Sequence, residues 1–178
     1  MEDLSLHILD IAENSIGANA KNIEIRVKEN KTQDVLTIEI IDDGKGMSSE
    51  QAQAALDPFF TSRMTRRVGM GLPLLKQAAE LANGDFRISS EIGKGTQVYA
   101  TLQLSHVDRQ PLGNMADTII ALIIVKPDVD VVYKYERDEN KFIMDTKEIK
   151  KKIKGVDIRS SSIISFIRQY IKENTESL

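Results

Sequence analysis

Apolar residues in the first half of the chain repeat at two spacings, which separate helices from strands. They recur every three or four residues from Leu4 to Ile16, so we predict an amphipathic helix there. They alternate with polar residues over 22–28 and 35–41, which predicts two strands. A second helical segment over 71–81 ends at Asn83-Gly84, a common helix stop. Strands over 85–90 and 96–104 enclose a tight turn.

The segment between the second strand and the second long helix has weaker periodicity. Residues 42–47 (DDGKGM) form a turn, and Ser48 predicts the N-cap of a short helix that reaches about Leu56. Residues 57–70 carry Pro58 and no clear period, so we predict a loop.

The second half follows a different pattern. The longest apolar run, 118–125, predicts a strand, and strands over 129–136 and 141–144 should form a hairpin around a polar turn. Two helices are predicted over 146–154 and 160–173. Because Pro111 and Gly113 interrupt the chain, we predict a domain over 1–105, a linker over 106–114 and a small α+β extension over 115–178, which could bind a partner, dimerise or extend the sheet.

Composition excludes several classes of function. The chain has no cysteine, so disulfide frameworks, thiol nucleophiles and cysteine zinc sites are excluded. A net charge of −3 argues against a nucleic-acid partner. The apolar run is too short to span a bilayer and the start is acidic rather than basic, so we expect a cytoplasmic protein without a membrane segment.

Six of the ten glycines stand in three GxG pairs: Gly44/Gly46, Gly69/Gly71 and Gly93/Gly95. None of the pairs fits a dinucleotide fingerprint or a GxxxxGK[ST] phosphate loop. Paired glycines mark places where the backbone approaches something closely or takes positive φ. The alternative is three unrelated tight turns, which three pairs within about fifty residues make the less favoured interpretation.

Four segments in order resemble the GHKL (Bergerat-fold) ATPase superfamily, which includes gyrase, heat-shock chaperone, sensor histidine kinase and mismatch-repair ATPases. They are DIAENSIGANAKNIEI (10–25), DDGKGM (42–47), DPFFTSR (57–63) with GMGLPLLKQAAE (69–80), and EIGKGTQVYATL (91–102). The resemblance covers about residues 4–104. It implies an α+β two-layer sandwich with a mixed sheet, helices on one face, and the nucleotide held between the helices and a lid.

The resemblance also implies a site for ATP and Mg²⁺. Asn14 matches the asparagine that coordinates the metal, and Mg²⁺ prefers such oxygen ligands. Asp42, rather than Asp43, matches the carboxylate that accepts the exocyclic amine of adenine, and Thr96 matches the threonine that helps hold the base. The short lid supplies positive charge at Arg63, with Arg66 and Arg67 beside it, and a helix N-terminus that favours phosphate. The expected ATP-binding residues are Asn14, Asp42, Gly44, Gly46, Met47, Arg63, Gly69, Met70, Gly71, Leu72 and Thr96.

Turnover depends on Asp10. Hydrolytic members of the superfamily carry a glutamate one helical turn before the metal asparagine, and this chain has the shorter Asp10 there. Glu13 is adjacent to Asn14 in sequence and is expected on another face of the helix.

Two uses of the site remain open from the sequence. In one, this histidine-kinase-like protein acts as an ATP-dependent kinase or slow ATPase, transferring phosphate to another protein or hydrolysing it. In the other, ATP orders the lid and gates a protein partner without turnover. A scaffold with a degenerate site is a third alternative. A protein partner is expected in the first two, homodimerisation is open, and the partner's identity cannot be read from the sequence.

Overall fold

The computed structural model describes residues 3–59 and 70–178 and has an α+β architecture. The helices in those ranges are α1 (Leu4–Gly17), α2 (Ser49–Ala54), α3 (Gly71–Leu81), α4 (Met115–Val125), α5 (Thr146–Ile153) and α6 (Ser161–Glu176). The strands are β1 (Asn22–Asn30), β2 (Val35–Asp42), β3 (Phe86–Glu91), β4 (Gly95–Gln103), β5 (Asp130–Arg137) and β6 (Asn140–Asp145).

The described strands form one mixed sheet in the order β3-β4-β2-β1-β5-β6. Every neighbouring pair is antiparallel except β1 and β5, which run parallel over eight paired positions. The predicted hairpin of the second half is confirmed, and its first strand extends the sheet at the edge of β1. The mixed sheet agrees with the fold that the resemblance implies.

One face of the sheet carries the core. Alternate residues of β1, β2, β4 and β5 are buried, and α1, α3, α4 and α6 contribute buried side chains to the same apolar cluster. The opposite face carries ion pairs, in which Glu24 contacts Lys134 and Arg26 contacts Glu39. This division follows from the two-residue period of a strand, which sends successive side chains to opposite faces.

The strand predicted over 118–125 is wrong, because these residues lie in helix α4. Asn114 caps that helix, and its side-chain oxygen accepts a hydrogen bond from the backbone N–H of Asp117 at 3.1 Å. Helix α4 packs between α1, α6 and the sheet, and most of its side chains are buried. A helix covered on nearly all sides shows the same continuous apolar run as a buried strand.

Residues 106–114 are bonded to the start of α1. The carbonyls of Pro111 and Leu112 accept hydrogen bonds from the N–H groups of Leu4 and Ser5 at 3.0 and 2.8 Å. These donors have no partner inside the helix, so the segment satisfies groups that a helix N-terminus leaves open. None of the described helices combines the length and apolarity needed to cross a membrane.

Candidate functional site

A cavity of about 350 Å³ opens beside the C-terminal half of α1. Its size lies within the usual range for small-molecule pockets. The end of β2, the start of β4 and the loop after β2 form the other walls. Six predicted ATP-binding residues line it: Asn14, Asp42, Gly46, Met47, Leu72 and Thr96.

Asp42 reaches this cavity because it continues the buried alternation of β2. Leu36, Ile38 and Ile40 point toward the helices, and Asp42 is the next residue in that period. Antiparallel register sets Asp42 opposite Thr96 of β4. The carboxylate and the hydroxyl-bearing residue therefore share the helix-covered face.

Both oxygens of the Asp42 carboxylate accept hydrogen bonds from the protein. The Ser15 hydroxyl donates to Oδ2 at 2.6 Å, and the Gly44 backbone N–H donates to Oδ1 at 2.8 Å. Ser15 lies on α1 and is 3% exposed. Two donors fix the plane of the carboxylate, and each oxygen keeps further capacity to accept from a ligand.

Asp43 has a different, structural set of contacts. Its Oδ1 accepts from the backbone N–H groups of Lys21 and Asn22 at 2.7 and 2.9 Å, and its Oδ2 accepts from the Asn22 side chain at 2.7 Å. Partial burial raises the pKa of Asp43, but the hydrogen bonds from Asn22 and Lys21 lower it more. Asp43 thus fastens the start of β1, and it is not among the residues that line the cavity.

Helix α1 brings Asn14 and Ser15 to the cavity wall, and it also brings Glu13. Glu13 is exposed and borders the same cavity as Asn14, and its expected position on another face of the helix stays a prediction. Asp10 is not among the lining residues. A Cβ built on Gly71 would come within 2.8 Å of the Asp10 Cβ, so Asp10 packs against the start of α3.

The loop after β2 is held from two sides. Lys45 donates its backbone N–H to the carbonyl of Ala18 at 2.8 Å, and its own carbonyl accepts from Gly93 at 2.7 Å. Gly46 has φ +69°, and an added Cβ would lie 2.0 Å from the carbonyl oxygen of Glu91. The glycine at 46 is therefore required by the close approach of the β3–β4 turn.

Ser90 joins this loop to Thr96. Its hydroxyl accepts from the Met47 backbone N–H at 2.8 Å and lies 2.8 Å from the Thr96 hydroxyl. The sequence prediction missed Ser90 and Ser15, since a serine in a strand or helix has no distinctive pattern. Their positions, next to Glu91 and directly after Asn14, are the signals that were available. Among the described residues, the lining residues that were not predicted are Ser15 and Glu13 together with Ile11, Gly17, Ala18, Ile40, Lys45, Ala55 and Val98, whereas Ser90 lies behind the cavity wall.

The start of α3 meets the site only in part. Leu72 is buried and lines the cavity, whereas Gly71 faces α1 and Met70 is 42% exposed. Gly44 bonds to Asp42 without lining the cavity itself. Arg63 and Gly69, with Arg66 and Arg67, lie outside the described residues.

Comparison with known proteins identifies the domain. Residues 2–106 match a family described as histidine kinase-, DNA gyrase B-, and HSP90-like ATPase. Sporulation kinase D of Bacillus subtilis is 29% identical over 98 residues, which cover 55% of this chain and 19% of the relative. Sporulation kinase C of the same organism is 29% identical over 96 residues (54% and 22%), and the sensor histidine kinase ZraS of Escherichia coli is 26% identical over 106 residues (60% and 23%).

The matched region therefore spans about a fifth of the length of these relatives. The family match, in contrast, covers more than half of this chain and includes the cavity with Asn14, Asp42 and Thr96. The chain belongs to the histidine kinase-, DNA gyrase B-, and HSP90-like ATPase family and carries its ATP-binding domain.

Proposed function

We propose that the chain binds Mg-ATP in the cavity beside α1 and acts on a protein partner by phosphoryl transfer or slow hydrolysis. The observation that carries this proposal is the Asp42 carboxylate, which two protein donors orient within the cavity. An ionised carboxylate is an acceptor only. It suits the exocyclic amine of adenine, whereas guanine presents a carbonyl at the equivalent position. The proposed site is therefore selective for ATP over GTP.

The cavity residues fit Mg²⁺ as the accompanying metal. Asn14 offers one side-chain oxygen, a ligand type that Mg²⁺ accepts, and Mg²⁺ commonly takes its other ligands from phosphate and water. Among the described residues there is no cluster of three or more His, Asp or Glu side chains that would form an all-protein metal site. A single protein oxygen together with the triphosphate is thus the arrangement that we propose. The bound metal would neutralise charge on the phosphates.

The remaining roles in binding and turnover are assigned to residues of the chain. Asp42 and Thr96 orient the base, and Leu72, Ile40 and Val98 supply apolar wall around it. Arg63 is proposed to place positive charge at the terminal phosphates. Asp10 is the proposed residue for orienting the attacking group, and its packing against Gly71 directs it to the start of α3.

A second function is favoured by one observation. Asp10 is not among the residues that line the cavity, while the residues proposed to bind the base are. ATP could therefore be held without efficient turnover, and binding alone would gate a protein partner. In both cases the partner is another protein, the proposed location is the cytoplasm, and self-association stays a prediction.

Incubation with γ-³²P-labelled ATP and Mg²⁺ distinguishes the two functions. The full chain is incubated alone and with fractionated protein from the source cell, and the label is followed on protein and in free phosphate. Phosphoryl transfer predicts labelled protein, hydrolysis predicts labelled phosphate, and at ATP concentrations near the wild-type Kd both should fall sharply in Asp42→Asn. Label that stays on ATP while filter binding detects a complex would refute turnover and support gating. Absence of ATP binding would refute both functions.

A further inference from the structure

A second cavity, of about 480 Å³, lies between α4, α6 and β5. None of the described residues lines both this cavity and the cavity beside α1, which we call the ATP cavity. The two cavities lie at opposite ends of β1. Asn22, at the start of the strand, bonds to Asp43 beside the ATP cavity, whereas Glu29, near its end, bonds to Arg137 in the wall of the second cavity.

Tyr133 makes this second cavity unusual. The residue is 1% exposed and lines the cavity, yet its hydroxyl makes no hydrogen bond to any residue in 3–59 or 70–178. Two positions along β5, the Tyr135 hydroxyl is fully engaged, accepting from Arg137 at 2.6 Å and contacting Glu29 at 2.8 Å. Because the hydroxyl has no protein partner there, it can donate to a water or a ligand in the cavity.

The Tyr133 hydroxyl is available as a donor. Burial raises the pKa of this phenol far above its ordinary value, and the neighbouring Tyr135 and Glu29 add to that rise. The group therefore stays protonated at any physiological pH. Since its ring packs edge-on against Phe142, the hydroxyl is held in place within the wall.

Three cationic side chains line the cavity. Arg137, Arg168 and Lys172 stand there with two carboxylates, Asp117 and Glu176, and a third carboxylate, Glu29, reaches Arg137 from outside the wall. Arg137 is paired with Glu29, and Arg168 with Asp117. Lys172 has no ion-pair partner among the residues that the structure describes.

The first turn of α4 adds partial positive charge to the same wall. Asn114 to Asp117 form part of the wall, and helix N-termini carry partial positive charge on their free N–H groups. Apolar side chains of Leu112, Met115 and Ile171 line the remainder. The wall thus combines Lys172 and a helix N-terminus with an apolar part and the Tyr133 hydroxyl as a donor.

We propose that this second cavity binds a small organic monoanion, a carboxylate attached to an apolar body. The carboxylate pairs with Lys172 and the α4 N-terminus, and the apolar body lies against Met115 and Ile171. Tyr133 donates a hydrogen bond to the ligand. A single carboxylate charge can pair with Lys172, whereas the higher charge of phosphate would meet the carboxylates of Asp117 and Glu176 without enough compensation.

NMR titration of the full ¹⁵N-labelled chain tests the proposal, with ADP present so that the ATP cavity stays filled. The probes are phenylacetate, its neutral analogue phenylacetamide, and inorganic phosphate. Phenylacetate should give saturable shifts at the amides of 114–117 and 171–175. Phenylacetamide should bind at least about tenfold more weakly, because it lacks the charge.

Two variants with matched controls locate the site. Lys172→Glu and Tyr133→Phe should each weaken phenylacetate binding by roughly tenfold. Lys152→Glu, on an exposed face of α5, and Tyr170→Phe, on α6 outside the cavity wall, should leave it unchanged. Tyr133→Phe should also keep the wild-type thermal midpoint, since its hydroxyl bonds to no described residue.

Three results would overturn the proposal. The first is the absence of saturable shifts with phenylacetate. The second is equal binding of acid and amide, or equal effects of the cavity variants and their controls, which would place the ligand elsewhere. The third is a response to phosphate alone, which would refute the requirement for an apolar body.

Discussion

Replacing Asp42 by asparagine tests the adenine assignment with little change in shape. The substitution turns one carboxylate oxygen into an amino group. The Gly44 N–H, which donates to Oδ1 at 2.8 Å, cannot become an acceptor, whereas the Ser15 hydroxyl can rotate and accept. We therefore expect the amide oxygen to face Gly44 and the amino group to face Ser15. Ser15 can then donate to the Ile11 carbonyl, which lies 3.3 Å from its oxygen.

This rearrangement predicts a large effect on ATP and a small one on folding. Because all protein partners can be satisfied, the free energy of unfolding should change by less than about 1 kcal/mol. The adenine amine, in contrast, loses a hydrogen bond to a charged acceptor, which is worth about 1.5–3 kcal/mol. It also meets the amino group of the new asparagine, which faces Ser15 and is itself a donor. A total near 3 kcal/mol corresponds to a roughly 150-fold increase in Kd.

Isothermal titration calorimetry with Mg-ATP measures the affinity, and thermal unfolding without nucleotide measures the stability. Asp43→Asn is the matched control, since Asp43 accepts three hydrogen bonds but does not line the cavity. It should keep its ATP affinity. Wild-type affinity in Asp42→Asn, or equal losses of affinity in both variants, would refute the assignment of Asp42 as the adenine acceptor.

The control variant has its own pH dependence. The pKa of Asp43 is lowered from its ordinary 3.8 because the hydrogen bonds from Asn22 and Lys21 outweigh partial burial. A lowered pKa means that the ionised group stabilises the fold above pH 3.8, and that this stabilisation is lost as the pH falls below that value. Asp43→Asn should therefore be less stable than wild type near neutral pH, and the difference should shrink in acid.

Three further predictions concern the frame of the site and its chemistry. Gly46→Ala should lower the free energy of unfolding by about 2 kcal/mol or more, because the new Cβ would overlap the Glu91 carbonyl. Gly93→Ala is the control, since Gly93 also has positive φ but open space around it, and it should cost about 1 kcal/mol. Equal shifts of the thermal midpoint in the two variants would contradict the close-contact argument. Asp10→Glu should raise the rate of phosphate release in a coupled ATPase assay if side-chain reach limits turnover, and an unchanged rate with intact ATP binding would argue against that role. A chain that ends at Ser105 should lose cooperative unfolding by circular dichroism, since the edge of β1 and the first N–H groups of α1 would lose their partners; a sharp transition would contradict this.

The sequence allowed most of the ATP-binding half to be predicted, because its signals are local. Periodicity located α1, α3 and the first four strands within a few residues, and Ser48 does form a capping box with Gln51. Asn14, Asp42 and Thr96 lie in ordered motifs, and the structure gathers them around one cavity. Their roles in binding remain predictions that the experiments above address.

The wrong strand over 118–125 and the missed residues Ser15 and Ser90 share a physical cause. Each depends on contacts between residues that are distant in sequence. In the run over 118–125, α1, α6 and the sheet bury most residues, although Ile124 and Val125 at its end are exposed, and its composition alone cannot separate a buried helix from a buried strand. The cap Asn114 and the Asp117 that follows were the local signals that favoured a helix. Ser15 and Ser90 acquire their importance only when β2, β4 and α1 meet.

The position of β1 explains why the residues beyond the family match share the same core. This strand pairs with β2 on one edge and with β5 on the other, so the C-terminal hairpin covers an edge that the first hundred residues leave open. The same dependence extends to α1. Its C-terminal half carries Asn14 and Ser15, while its first N–H groups are satisfied by the carbonyls of Pro111 and Leu112.

Leu112 also lines the second cavity, so α1 lines the ATP cavity near its C-terminal end and is hydrogen-bonded to a residue of the second cavity at its N-terminal end. A ligand in the second cavity can alter ATP affinity only if it favours one position of that helix over another, since a ligand that binds all positions equally shifts no population. The Ser5–Leu112 hydrogen bond at 2.8 Å is the contact through which such a preference would act. ATP titrations with and without phenylacetate therefore measure whether the two cavities are coupled. Equal ATP affinities would mean that α1 is held rigidly by the sheet and transmits nothing.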